Sequence, residues 1–177
     1  MNRPKNIIWL LLGITLIGGI LRVWYLGEKS FWIDELISLC HAESINDVTT
    51  LFTPTCGNAH PPLYFLLVKG WSAFGDGEFH FRLLSAIFGT AVIPGVFFLG
   101  RELVGRAPAL VSTFIAAVSP FYLLYDREVR MYSLLTCLSI WSLYFFIKAL
   151  KNGRSIDWVL YTVLSVMNVY VHYHAFL

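Results

Sequence analysis

An all-α bundle that crosses a membrane about five times is the fold class this sequence predicts. Three observations predict it. Of its 177 residues, 57% are hydrophobic and only 14% are charged, against roughly 25% charged in soluble domains. The apolar residues gather in runs close to the ~20 that a helix needs to cross a bilayer core. The charges fall mainly between or at the ends of those runs, and 16% of the chain is aromatic, which suits Trp and Tyr at membrane interfaces.

Each element follows in order. Residues 1–6 form a short tail carrying Arg3 and Lys5. Residues 7–26 are the first span. This run is long for the apolar core of a cleaved signal, and Arg22-Val23-Trp24-Tyr25 lacks the small residues of a cleavage site, so it reads as an uncleaved anchor. Residues 27–78 are a long mixed loop. Within it, residues 62–74 are apolar but reach only about 20 Å as a helix, too short to span. Pro61-Pro62 suits a helix start, and the stretch reads as a helix lying at the interface. Residues 79–100 are the second span, with Arg82 near its start and a kink expected at Pro94. Residues 107–125 are the third, with Pro120 near its end, and 131–150 the fourth. Residues 158–177 are the fifth; the chain is still apolar at Leu177 and reads as cut inside or at the end of a helix.

Alternating spans place the tail and the loops 101–106 and 148–157 on one side. These hold Arg3, Lys5, Arg101, Arg106, Lys148, Lys151 and Arg154. The excess of basic residues in short loops makes that side cytoplasmic. The loop 27–78 and the turn 126–130 then lie outside. The expected location is the plasma (inner) membrane, multi-pass, with the N-terminus cytoplasmic. A net charge of +2 with no basic stripe on a polar face argues against a nucleic-acid partner.

The same topology gathers chemistry on the outer face. Asp34, Glu35, His60, the run Asp126-Arg127-Glu128-Val129-Arg130 and His172 are distant in sequence, yet each sits at the outer end of a span or in the outer loop. A carboxylate held among apolar groups and near a cation can act as general base on a hydroxyl. Asp34-Glu35 follows Phe31-Trp32-Ile33 and fits that description, although two acids on a wet loop can also be merely solvated. Arg127 and Arg130 are three apart, as are neighbours on a helix face, and guanidinium groups match phosphate oxygens with paired donors. An interfacial cluster that pairs internally is the plainer account. Asn58-Ala59-His60-Pro61-Pro62 reads as a capped helix start or as a way of aiming His60 at a head group. His172 and His174, two apart, do not share a helix face, which argues against a two-histidine metal site. Arg22, one turn from the outer end of its span, either snorkels to the interface or pairs with an outer acid. Cys137 lies in an apolar run and reads as a small hydrophobe. Cys40 and Cys56 share the outer loop and are candidates for a disulfide, which would contribute about 3 kcal/mol.

Taken together, Phe31-Trp32-Ile33-Asp34-Glu35, His60-Pro61-Pro62-Leu63-Tyr64-Phe65, Phe81-Arg82-Leu83-Leu84-Ser85, Glu128-Val129-Arg130-Met131-Tyr132 and His172-Tyr173 resemble, in order and spacing, the GT-C membrane glycosyltransferases of the protein O-mannosyltransferase and aminoarabinose-transferase type. Bacterial members include lipopolysaccharide-core glycosyltransferases. The resemblance implies a polyprenyl-phosphate sugar as donor, a membrane lipid environment, and a protein, lipid or glycan acceptor on the extracytoplasmic face. It implies Asp34 as general base with Glu35 beside it, and Arg130 with Arg127 on the departing phosphate. His60 and Glu128 would line the sugar or acceptor pocket. Tyr64, Tyr132 and His172 lie in the same motifs and carry over as substrate- or lipid-phosphate-binding positions. Some relatives bind a divalent metal, for which no ligand set is assigned here. Relatives are longer, with further spans, so residues 1–177 are expected to be the N-terminal transmembrane part of such an enzyme. Two other readings stand beside this one. A transporter would carry ionisable residues near mid-span, whereas these sit at span ends. A non-catalytic membrane fragment or assembly partner is the other.

Overall fold

The computed structural model describes residues 4–53, 55, 56 and 60–176. Arg3, Asn58, Ala59 and Leu177 lie outside the described residues, as do the side chains of Lys5 and His174, so the expected Asn58 cap and the last residue of the fifth span fall there. The described residues are helical, without a strand.

Helix α1, Pro4–Val23, is apolar on every side. Trp9 and Leu16 are more than half exposed, as a lipid-facing helix requires. The central helix is α5, Gly77–Val104, which runs through Pro94 without ending. At about 42 Å it is longer than the expected 79–100. It packs against α1, against α6 (Arg106–Val118) and against α8 (Tyr132–Asn152). Helix α9, Ser155–Val169, packs on α8. The turns between these antiparallel neighbours use glycines with positive φ: Gly105 at +89° and Gly153 at +63°. A side chain is strained in that region, so glycine closes both turns.

Three helices, α1, α5 and α8, are long and apolar enough to cross a membrane. Two of the other runs expected to span are interrupted, and their helices α6 and α9 are shorter and apolar. The run 107–125 divides into α6 and the short α7, Pro120–Tyr125. Proline pushes the residue before it out of the helical region, and Ser119 is extended, with φ −61° and ψ 122°. In the run 158–177 the α-helix α9 ends at Val169. Its end is captured by another part of the chain: the Tyr170 carbonyl accepts the Leu63 N–H at 3.0 Å. His172 and a 3-10 turn, Tyr173–Phe176, follow.

The outer loop holds more helix than expected. Besides α4, Leu63–Ser72, it contains α2, Ile33–Ser44, and α3, Val48–Phe52. Helix α2 packs on α4. Its Ala42 and Ile45, at its C-cap, join Tyr64 and Phe65 of α4 and Met131 and Leu134 at the start of α8 in one buried cluster. Cys40 and Cys56 are joined by a disulfide that ties α2 to the segment before α4. Lys69 donates to the Ile45 carbonyl and so fastens α4 to the C-cap of α2.

The charges sort to the two ends of the bundle. At one end Lys151 meets Glu102 at 3.3 Å and Lys148 meets Asp157 at 3.2 Å, joining α8 to α5 and to α9. The other end carries the candidate site.

Candidate functional site

Helix α2 begins at Ile33, so Asp34 and Glu35 both fall in its first turn. Negative charge is favoured there by the helix dipole. Consecutive helical residues point about 100° apart, and the two acids take different surroundings.

Glu35 points inward and is fully buried. Arg82 of α5 grips it with two bonds, Nε to Oε1 at 2.9 Å and Nη2 to Oε2 at 2.7 Å. The Val129 N–H donates to Oε1 at 2.9 Å, and the Trp32 N–H to Oε2 at 3.2 Å. The remaining donors of Arg82 go to the carbonyls of Leu26, Lys29 and Ser30. One buried pair therefore pins α2, α5, the segment 26–30 and the turn 126–130 together. Both oxygens of Glu35 are committed to these bonds.

Asp34 points outward, its side chain 38% exposed. Arg130 stands beside it, with Nη2 4.0 Å from Oδ2, and Arg130 Nη1 donates to the Asp34 carbonyl at 3.2 Å. Arg130 also reaches Ser38 Oγ and the Tyr132 hydroxyl, each at 3.5 Å, and lies over the Tyr132 ring. Glu128 is half-buried nearby. Burial raises its carboxyl pKa first of all, the charges of Glu35 and Asp34 raise it further, and Arg130 and Arg82 oppose them.

Arg127 and Arg130 do not share a helix face. The segment 126–130 is a turn between α7 and α8, and the two side chains diverge. Arg127 donates to the carbonyls of Leu21 and Trp24, 2.8 Å in the second case, and so closes the end of α1. Tyr64 does not face open space. It is fully buried, with its hydroxyl 3.4 Å from Ser85 Oγ, and Ser85 leans toward the Arg130 carbonyl. His60 and His172 come together, their ring centroids 4.7 Å apart. His172 lies beyond the end of α9, so the helical spacing of 172 and 174 does not govern it.

Arg22 does not snorkel. It is fully buried, with Nε 2.7 Å from Asp126 Oδ2. Its other nitrogens donate to the carbonyls of Gly18, Ala117 and Ala116. The last two belong to the end of α6, where the break at Pro120 leaves carbonyls without helical donors. The guanidinium thus satisfies a broken helix end and a buried acid at once. Gly89 of α5 makes room for the Asp126 carboxylate, which a Cβ there would overlap.

A cavity of 630 Å³ opens beside the Glu35–Arg82 clamp. One side is the segment from Tyr25 to Trp32; the other is Pro120, Leu123 and Leu124 of α7 with Arg127 and Glu128. Sequence reasoning noted Arg82 near the start of the second span and within a motif, and gave it no partner. It also missed the buried His41, whose Nδ1 lies 2.5 Å from Thr55 Oγ1 and whose pKa burial lowers. An imidazole in a mixed loop carries no sequence sign of burial. Among the described residues no group of three or more His, Cys, Asp or Glu converges as a metal site.

These features define an all-helical membrane protein with a charged corner held at one end of its bundle. The family model described as dolichyl-phosphate-mannose-protein mannosyltransferase matches residues 59–177, more than half of the chain. The chain belongs to that family of membrane glycosyltransferases. The matched stretch contains His60, Arg82, the turn 126–130 and His172; Asp34 and Glu35 precede it. No curated protein and no solved structure matches the chain.

Proposed function

We propose that the chain transfers a sugar from a polyprenyl-phosphate donor to a hydroxyl of a protein, lipid or glycan acceptor, with Asp34 as general base, at the extracytoplasmic face of the plasma membrane. One observation carries this reading. Asp34 is a half-open carboxylate fixed on a helix start, with a guanidinium at 4.0 Å and a rigid buried ion pair as its neighbour.

In this mechanism Asp34 takes the proton of the acceptor hydroxyl. The acceptor oxygen attacks the anomeric carbon and forms the new glycosidic bond. The bond from the anomeric carbon to the phosphate oxygen breaks, and polyprenyl phosphate departs with the electron pair. Fixed donors are most effective where charge develops in the transition state, and Arg130 and Arg127 are the guanidinium groups nearest that role. Glu128, His60 and His172 would line the sugar and acceptor approaches, with Tyr132 behind Arg130. Glu35 and Arg82 hold the corner in shape. No metal ligand set gathers among the described residues, and no step is assigned to a metal. The basic residues Arg101, Arg106, Lys148, Lys151 and Arg154 lie at or between helix ends on the opposite side, which supports a cytoplasmic placement for that end.

The test offers membranes containing the chain labelled sugar on polyprenyl phosphate or on a nucleotide. Label should pass to an acceptor from the polyprenyl phosphate alone. Transfer from the nucleotide sugar, or none from the lipid donor, would overturn the proposal.

A further inference from the structure

We infer that the groove between α1 and α5, at the end of the bundle opposite the charged corner, binds an anionic phospholipid, with Arg101 and Arg106 on its head group. In the proposed orientation this end lies in the cytoplasmic leaflet. The site is separate from the proposed reaction, since Arg101 stands about 28 Å along α5 from Arg82.

The groove is a cavity of 530 Å³. Ile8, Leu11, Leu12 and Thr15 line it from α1, where their spacing puts them on one helix face. Pro94 and Phe98 line it from α5. Ile8 and Leu12 are more than half exposed, so the groove opens toward lipid rather than into the core. The Thr15 hydroxyl gives its proton to the Leu11 carbonyl at 2.8 Å, and Pro94 has no N–H to give. These walls suit a hydrocarbon chain and offer no side-chain donor to a sugar or a nucleotide.

The mouth of the groove is cationic. Arg101 lies over the Phe98 ring, 5.4 Å from its centroid, which holds the guanidinium at the end of the apolar wall. Its acidic neighbour is Glu102, with Oε1 3.2 Å from Arg101 Nη2 and Oε2 3.3 Å from Lys151 Nζ. One carboxylate is thus shared by two cations. Arg106 is exposed at the start of α6 and belongs to no ion pair among the described residues. Three cations therefore meet one acid, and neither Glu102 nor any other carboxylate lines the groove among the described residues. The Lys148–Asp157 pair at the same end balances itself. Two guanidinium groups above an apolar slot match a phosphodiester that carries acyl chains. A soluble anion would use only the mouth, and a neutral head group would leave the excess charge unmatched.

Titration of the purified chain in detergent with phosphatidylglycerol, phosphatidylcholine and glycerol phosphate, read by native mass spectrometry, tests the inference. The wild type should bind phosphatidylglycerol saturably and more tightly than either of the others. Arg106→Ala should weaken that binding about fivefold, the weight of one basic residue against an anionic lipid. Arg106→Lys should restore most of it. Arg101→Gln combined with Arg106→Gln should bring phosphatidylglycerol down to the level of phosphatidylcholine. Without added lipid, thermal unfolding of both Arg106 variants should match the wild type, because that side chain is exposed and unpaired. Ile8→Trp, which narrows the groove from its open side, should weaken phosphatidylglycerol as well. Unchanged binding by Arg106→Ala and by the double variant overturns the role of the arginines. Equal affinity for phosphatidylcholine overturns the charge match, and equal affinity for glycerol phosphate, or unchanged binding by Ile8→Trp, overturns the groove as the seat of the acyl chain. Failure of the wild type to bind phosphatidylglycerol overturns the inference and leaves the proposed sugar transfer standing.

Discussion

Replacing Glu35 with alanine leaves the Arg82 guanidinium buried without its carboxylate. Four hydrogen bonds are lost: two charge-assisted bonds from Arg82, at 2.7 and 2.9 Å, and the backbone donors of Val129 and Trp32. Removing one member of a buried pair typically costs about 3–5 kcal/mol, because the remaining charge has no water to return to. A chain is stabilised by only about 5–15 kcal/mol in total, so the loss is a large share. Glu35→Gln should cost less, since an amide keeps an acceptor for Arg82 and for the backbone. The double variant Glu35→Leu with Arg82→Leu should recover part of the loss, because no buried charge remains. Thermal unfolding in detergent would rank these variants: wild type, then Gln, then the double variant above Ala. An Ala variant as stable as the wild type would refute the reasoning. So would a double variant less stable than Glu35→Ala.

Gly89→Ala should destabilise the chain by about 1–3 kcal/mol through overpacking, because the new methyl meets the Asp126 carboxylate. Gly13→Ala, with nothing near its Cβ position, is the control and should show no loss on thermal unfolding. Glu128 gives a pH dependence. Its carboxyl pKa is raised in the folded chain, chiefly by burial, so the folded state holds the proton more tightly than the unfolded one. The associated stability is present below the ordinary Glu range and is lost as pH rises through the folded value. Glu128→Gln should remove that decline from a series of melting curves, and an unchanged decline would assign it to another group.

Much of this arrangement was legible because membrane helices announce themselves by length and apolarity. The runs that became α1, α5 and α8 needed no tertiary information. Their order also placed residues 34, 60, 126–130 and 172 at one end. Interrupted runs were harder. Ser119-Pro120 carried a signal, since proline restrains the residue before it, but the end of α9 depends on a carbonyl captured by Leu63, a contact distant in sequence. Helix α2 was missed because its N-cap position is Trp32 rather than Ser, Thr, Asp or Asn. Its better sign was Glu35 three residues on, reaching back to the Trp32 N–H, as in a capping box. At the site, residue type identified the charged groups but not their partners. Arg22 with Asp126 and Glu35 with Arg82 are 104 and 47 residues apart, and no local spacing encodes such pairs. The helical spacing of Arg127 and Arg130 misled for the same reason, since the chain turns there and sends one arginine to α1 and the other to α2.

The central claim is that Asp34 removes the acceptor proton while Glu35 holds the corner in place. Sugar transfer by Asp34→Asn, measured beside its thermal unfolding, tests it most directly. Asparagine keeps the shape of the half-exposed side chain and removes the base. The account predicts transfer at background with an unfolding temperature equal to the wild type's. Transfer near the wild-type rate by a folded Asp34→Asn chain would contradict it.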